Sequence, residues 1–252
     1  MTAQTEIYKD LCDAKARGEK KFVLLIDPDL EKLGNLDKVL LLSKEAGVDY
    51  FFVGGSLIVN DQLNHVLKTI KQQSDIPTIL FPSNPLQINA LADGILFLSL
   101  ISGRNSEFLI GNHVIAAPYL AKSHLEILPT GYLLIDGGER TTASYMSNTT
   151  PIPHHKDDIA LCTALAGEML GLKLIYLDGG SGAKMPISES MIKSVSDTIQ
   201  VPLIVGGGIR TPEKALANVQ AGADIIVVGN AIEKNPQLIF EMAEAVHSLN
   251  LV

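Results

Sequence analysis

Short, β-branched apolar runs alternate with longer amphipathic stretches along most of this chain. Eight runs carry the strand pattern: residues 22–26, 50–53, 78–81, 94–98, 132–135, 174–177, 203–205 and 225–228. Each is short and almost continuously apolar, the signature of strands in a parallel sheet covered on its outer face by helices. The helical period occupies residues 35–46, 61–72, 158–170, 188–199, 212–221 and 236–249. Thr211 and Pro212 read as a helix start, with Thr at the N-cap and Pro in the first turn. Gly171 and Gly222 read as helix stops. Alternating strands and helices predict the α/β class. Eight such units predict closure into a (β/α)8 TIM barrel, with residues 1–252 as a single domain.

Two stretches break the rhythm. Residues 99–129 are long and mixed, and residues 137–157 (GGERTTASYMSNTTPIPHHKD) are polar and poor in aliphatic side chains. Insertions after barrel strands lie on the face that carries active sites. Residues 137–157 fit a lid over substrate and a solvated loop equally well.

Composition narrows the function classes. Hydrophobic residues make up 46% and charged residues 19%, which is a globular composition. The formal net charge of −8 argues against non-specific nucleic-acid binding, which needs a basic footprint. Cys12 and Cys162 lack metal or redox spacing and read as reduced packing residues of a cytoplasmic protein. The apolar runs are too short to span a bilayer, so stable membrane insertion is not expected. Transient contact with a membrane surface stays compatible.

Chemistry concentrates where strands end. LIVGGGIR at 203–210 and IIVVGNAI at 225–232 each stop abruptly in small residues before a helix. Such turns leave backbone N–H groups free to converge on an anion, as in the phosphate cup after the last two strands of many barrels. The first strand ends in Asp27, Pro28 and Asp29, where Asp27 suits a hard cation or a turn cap. Ser56 follows two glycines after the second strand, as an ordinary turn residue or a Mg²⁺ ligand completed by water and substrate oxygens. The sixth strand ends in YLDGGSGA at 176–183, where Asp178 suits a general base and the small residues admit a ligand to the backbone. His154 and His155 lack a third ligand at zinc spacing. Ser106, Ser147 and Ser181 show no Ser-His-Asp context.

Taken together, these segments resemble the geranylgeranylglyceryl phosphate synthase family. The resemblance covers nearly the whole chain. It rests on LIDPD at 25–29, VGGSLIV at 53–59, SGRN at 102–105, YLDGGSGA at 176–183, GGGIR at 206–210, and Gly229 with Asn230. It implies a Mg²⁺-dependent prenyltransferase that joins sn-glycerol 1-phosphate to a polyprenyl diphosphate and releases diphosphate. It implies Asp27 and Ser56 as metal ligands and Asp178 as the base that accepts the glycerol proton. Tyr176, Leu177, Asp178, Gly179, Gly180, Ser181 and Gly182 would contact glycerol phosphate. Gly206, Gly207, Gly208, Gly229 and Asn230 would cradle its phosphate. Many relatives carry Glu at the position of Asp178, and some carry Lys at that of Leu25; the latter difference points to the second of two phylogenetic groups. The chain has no Trp. Phe108 falls where archaeal relatives place a Trp that limits tail length, which points to a geranylgeranyl tail. Family members form dimers or hexamers, so a homo-oligomer is expected.

Two rivals share part of this pattern. A phosphate-binding barrel isomerase of amino-acid biosynthesis would have the late glycine turns, but the IDPD and GGS strand ends count against it. A non-catalytic phosphate- or lipid-binding barrel would have no use for Asp27, Ser56 and Asp178 together.

Overall fold

In the computed structural model, which describes residues 6–29 and 34–250, eight parallel strands pair in sequence order and close on themselves. They are β1 (Lys21–Ile26), β2 (Tyr50–Val53), β3 (Thr78–Leu80), β4 (Gly94–Leu100), β5 (Glu126–Leu134), β6 (Leu174–Asp178), β7 (Leu203–Gly206) and β8 (Ile225–Val228). Closure comes through β1 and β8, with Lys21 opposite Ile225 and Leu24 opposite Val228. Among the described residues ten α-helices accompany them: α1 (Glu6–Arg17), α2 (Leu36–Ala46), α3 (Leu63–Gln73), α4 (Asn112–Leu120), α5 (Thr142–Ser147), α6 (Asp157–Met169), α7 (Glu189–Ser196), α8 (Pro212–Gln220), α9 (Asn230–Lys234) and α10 (Leu238–His247). The predicted (β/α)8 barrel is the observed fold. None of the helices in the described residues is long and apolar enough to cross a membrane.

Strand alternation sorts the core into two layers. On β6, Leu174 and Tyr176 pack inside the barrel, whereas Ile175 and Leu177 pack under the helices. On β4, Leu96, Leu98 and Leu100 belong to the interior, whereas Ile95 and Phe97 face outward. The next inward position on β6 is its last residue, Asp178, so the strand period delivers that carboxylate to the barrel mouth.

Four helices escape the hydrophobic reading, and each has a local reason. The buried stripe of α1 is only Ile7, Leu11 and Ala14 among charged neighbours. The α4 helix contains Pro118 and is apolar on most of its surface, which blurs its period. The α5 and α9 helices span six and five residues, too few for a period to register. Strand β5 begins at Glu126, six residues before the predicted 132. Its first half holds Pro129, Thr130 and Gly131, none of which signals a strand. A methyl added at Gly131 would lie 2.8–2.9 Å from Ile175 and Ile101, so close packing requires the missing side chain.

A charged network closes the barrel floor, at the opposite end from the site. Asp49 accepts hydrogen bonds from the Phe22 amide and His247 Nε2, both at 2.8 Å. Lys21 Nζ lies 3.4 Å from Asp49 and 3.2 Å from Asp10, and Tyr50 donates to Asp10 at 2.6 Å. Asp49→Ala strands the Phe22 amide and is expected to cost about 1–3 kcal/mol of stability. Denaturant titration checks this, with kcat unchanged because the floor is remote from the mouth.

Candidate active site

Asp178 is buried at the mouth of the barrel. Its Oδ1 accepts the Gly180 amide at 2.7 Å, and its Oδ2 takes a close hydrogen bond from the Tyr132 hydroxyl on β5. Burial raises its pKa, the dominant effect, while the two hydrogen bonds pull the other way. Tyr132 and Tyr176 stand opposite each other in the β5–β6 register, with ring centroids 5.4 Å apart edge to face. Phe81 stacks on Tyr176 at 5.5 Å. Burial, then the neighbouring Asp178 charge, pushes both phenols well above their ordinary range, so both remain proton donors. Tyr132 was missing from the sequence-derived site. Its one signal was a hydroxyl-bearing aromatic in an otherwise aliphatic strand.

The small residues after β6 and β7 pack against Asp178. Gly206 opposes Asp178 in register, and its carbonyl accepts the Gly179 amide at 3.1 Å. Gly207 has φ +81°, and a methyl there would sit 2.7 Å from Asp178 Oδ1 and from the Gly179 and Gly180 nitrogens. Only glycine meets both demands. Gly208 lies over Pro186, and Gly182 borders open space. Asn230 Nδ2 donates to Ser181 Oγ at 3.2 Å, which joins the turn after β8 to the turn after β6. Arg210 holds the same rim by donating to the Ala183 carbonyl at 2.6 Å. The structure thus brings Tyr176, Asp178, Gly179, Gly180, Ser181, Gly206, Gly207 and Asn230 to one rim. Leu177 differs, because its side chain lies under the helices and only its backbone is available to a ligand.

Asp27 and Ser56 lie at the ends of β1 and β2, with β1 next to β8 in the closed barrel. Asp27 Oδ1 accepts the Asp29 amide at 3.1 Å. A methyl on Gly55 would fall 3.0–3.1 Å from the Asp27 carboxylate, so Gly55 lets the acid lie over the turn that carries Ser56. Asp29 Oδ2 accepts the Val59 amide at 3.1 Å, tying the two turns together, and Asp29 Oδ1 is buried without a partner. Asp27 also shares a small cavity of about 40 Å³ with Gly229 and Glu233. Among the described residues no three His, Cys, Asp or Glu side chains converge as a self-sufficient metal site. One carboxylate and one hydroxyl, both oxygen donors, nevertheless fit Mg²⁺, which keeps waters and takes substrate phosphate oxygens rather than a full protein cage.

An apolar groove of about 370 Å³ starts at Ser56, Phe81 and Tyr132. It passes between the outward face of β4 and the inner face of α4, reaching Ile88, Ile95 and Leu120. Phe108 lines it from a π-helical turn (Glu107–Gly111). His113 lines it from α4, edge-on to Phe97 at 4.4 Å, with Nε2 3.1 Å from Ser99 Oγ. Burial lowers the His113 pKa, the larger effect against the opposing pull of the Leu98 carbonyl, so the ring is neutral near pH 7. The 137–157 stretch is neither featureless nor detached. It returns to β5 through Ile152, whose amide donates to Leu134 at 2.9 Å, and its α5 places Ala143, Met146 and Ser147 in the groove wall.

The PcrB family model matches residues 15–247. The chain belongs to the PcrB family. Among similar proteins, geranylgeranylglyceryl phosphate synthase of Chitinophaga pinensis is 55% identical over 243 residues, covering 96% of each chain. The enzyme of the same name from Spirosoma linguale is 54% identical over 240 residues, covering 95% of this chain and 96% of the relative. A crystal structure of (S)-3-O-geranylgeranylglyceryl phosphate synthase from Thermoplasma acidophilum, in complex with sn-glycerol-1-phosphate, superposes with a TM-score of 0.89 at 32% identity. It covers 96% of this chain and 98% of that one. In this PcrB-family chain, a polar rim and an apolar groove therefore meet at one buried pair, Tyr132 and Asp178.

Proposed function

We propose that this PcrB-family barrel transfers a geranylgeranyl group from its diphosphate to the hydroxyl of sn-glycerol 1-phosphate. The observation that carries the reading is the Tyr132–Asp178 contact, because Tyr132 lines the apolar groove while Asp178 belongs to the polar rim. The acceptor phosphate would lie against the Gly206, Gly207 and Gly208 turn and the Gly229–Asn230 turn. Tyr176 and the backbone of residues 177–182 would hold the glycerol. The groove would take the tail, with Phe108 bounding its length.

The reacting atoms then have defined places. The glycerol oxygen forms a bond to C1 of the prenyl chain as the bond from C1 to diphosphate breaks. The hydroxyl proton passes to Asp178, whose raised pKa makes it a stronger base than an exposed carboxylate. Mg²⁺ held by Asp27 and Ser56 would offset the charge gathering on the departing diphosphate. Fixing the acceptor through its phosphate keeps the hydroxyl beside C1, an arrangement worth about 7–11 kcal/mol at best. The aromatic cluster of Phe81, Tyr132 and Tyr176 keeps bulk water from the allylic centre, where it would compete as a nucleophile.

The same reading carries a single-domain, cytoplasmic homo-oligomer, a dimer or hexamer. Exposed Val114, Ile115 and Tyr119 on the outer face of α4 support association. The direct test is incubation with geranylgeranyl diphosphate, sn-glycerol 1-phosphate and Mg²⁺. The expected result is an ether product and diphosphate in equal amounts, stopped by a chelator and restored by added Mg²⁺. No product with any tail from farnesyl to heptaprenyl would overturn it.

A further inference from the structure

The SGRN motif at 102–105 has no part in the reaction outlined above, yet each of its residues has a defined contact. Ser102 Oγ accepts the Leu134 amide at 3.0 Å, fixing the motif to the end of β5. Gly103 faces Thr149 so closely that a methyl would sit 2.5 Å from its Cγ2. Arg104 folds back on the motif, donating to the Gly103 carbonyl at 2.7 Å. Asn105 uses both ends of its carboxamide. Its Oδ1 accepts the Glu107 amide at 3.1 Å, and its Nδ2 donates to the Ser147 carbonyl at 2.7 Å.

These two bonds join the two insertions. Glu107 opens the π-helical turn that carries Phe108, and Ser147 ends α5. Phe108 and Asn112 line the groove from one side, and Ala143, Met146 and Ser147 from the other. A six-residue helix does not hold itself together in water. Its N-terminus is secured by the Thr141–Ser144 capping box. At its C-terminus the Asn148 amide, in a left-handed cap, serves the Ser144 and Tyr145 carbonyls, and Asn105 supplies a partner for the last one, that of Ser147.

We propose that Asn105 is a positioning residue, a latch that holds the two halves of the groove wall together and thereby sets affinity for the prenyl tail. This rests on the groove being the tail site, as under the proposed function. The latch acts through the wall and touches neither the acceptor nor the metal end. Its signature is therefore a loss that grows with tail length.

Asn105→Asp is the discriminating variant. It keeps the acceptor for the Glu107 amide but turns the donor into an oxygen facing the Ser147 carbonyl. Expected is an increase of about tenfold in KM for geranylgeranyl diphosphate and in Kd for its unreactive thiolodiphosphate analogue, the size of one lost hydrogen bond. Dimethylallyl diphosphate binding, KM for sn-glycerol 1-phosphate and kcat at saturation should stay within about twofold, because none of them depends on the wall. Amide exchange over residues 142–149 should accelerate in the ligand-free variant. Asn105→Ala should show the same tail-dependent loss, which guards against a folding defect peculiar to Asp. Unchanged tail affinity and exchange in both variants, beside an active wild-type protein, would overturn the latch. So would equal losses for short and long tails. A wild-type protein that binds no prenyl diphosphate would instead remove the tail site, and the latch with it.

Discussion

Asp178→Asn is expected to lower kcat by about 10²–10⁴-fold, the usual contribution of a positioned general base. The substitution preserves the shape of the side chain and an acceptor for the Gly180 amide, so glycerol phosphate should still bind. Stability gives an independent check. Burial raises the Asp178 pKa in the folded protein. Ionised Asp178 therefore costs stability above the unfolded-state pKa, and that cost fades as pH falls through the folded-state value. The neutral Asn variant should then unfold no earlier than wild type at neutral pH. The acid limb of the wild-type kcat profile should lie above the ordinary carboxylate range and vanish in the variant. A variant retaining a tenth or more of wild-type kcat would move the base elsewhere. Tyr132→Phe tests the same contact from the other side. Removing its hydroxyl leaves Asp178 with less stabilisation of its charge, so the acid limb should move further upward.

Gly207→Ala is expected to lower kcat/KM by about 100-fold or more, the effect of displacing a reacting group by roughly an ångström. The added methyl would lie 2.7 Å from Asp178 Oδ1 and from two backbone nitrogens. The φ of +81° adds strain for any L side chain, of about 1–2 kcal/mol. Gly171→Ala separates the two effects. Gly171 has φ +86° but nothing within 4 Å of the added methyl, and it sits in the turn that leads into β6, at the opposite end of that strand from Asp178. Strain alone should cost it stability and leave kcat/KM intact. Comparable kinetic losses in both variants would remove Gly207 from the acceptor site.

Much of the architecture was legible because a parallel barrel is written in a one-dimensional code. Strands buried on both faces become continuous apolar runs, and their ends become glycine, serine and aspartate. The tight turn at Gly207 and the acid at Asp178 are therefore visible in the sequence alone. Elements whose stability comes from neighbours left weaker traces. The first half of β5 holds proline, threonine and glycine and is a strand because β4 and β6 pair with it. The α5 helix persists because a capping box secures its first end, and the Asn148 cap together with Asn105 secures its last.

The sequence by itself determined the α/β class, the eight-unit rhythm and the small set of polar residues at strand ends, since these depend on local period and turn chemistry. Only the tertiary structure decided which of those residues meet. Tyr132 and Asp178 are separated by 46 positions and become partners through the β5–β6 register. Asn105 and Ser147 are 42 positions apart and join only because both insertions fold over the same groove. Contacts of that kind depend on how strands are staggered and how loops pack, quantities that no local pattern of polar and apolar residues encodes.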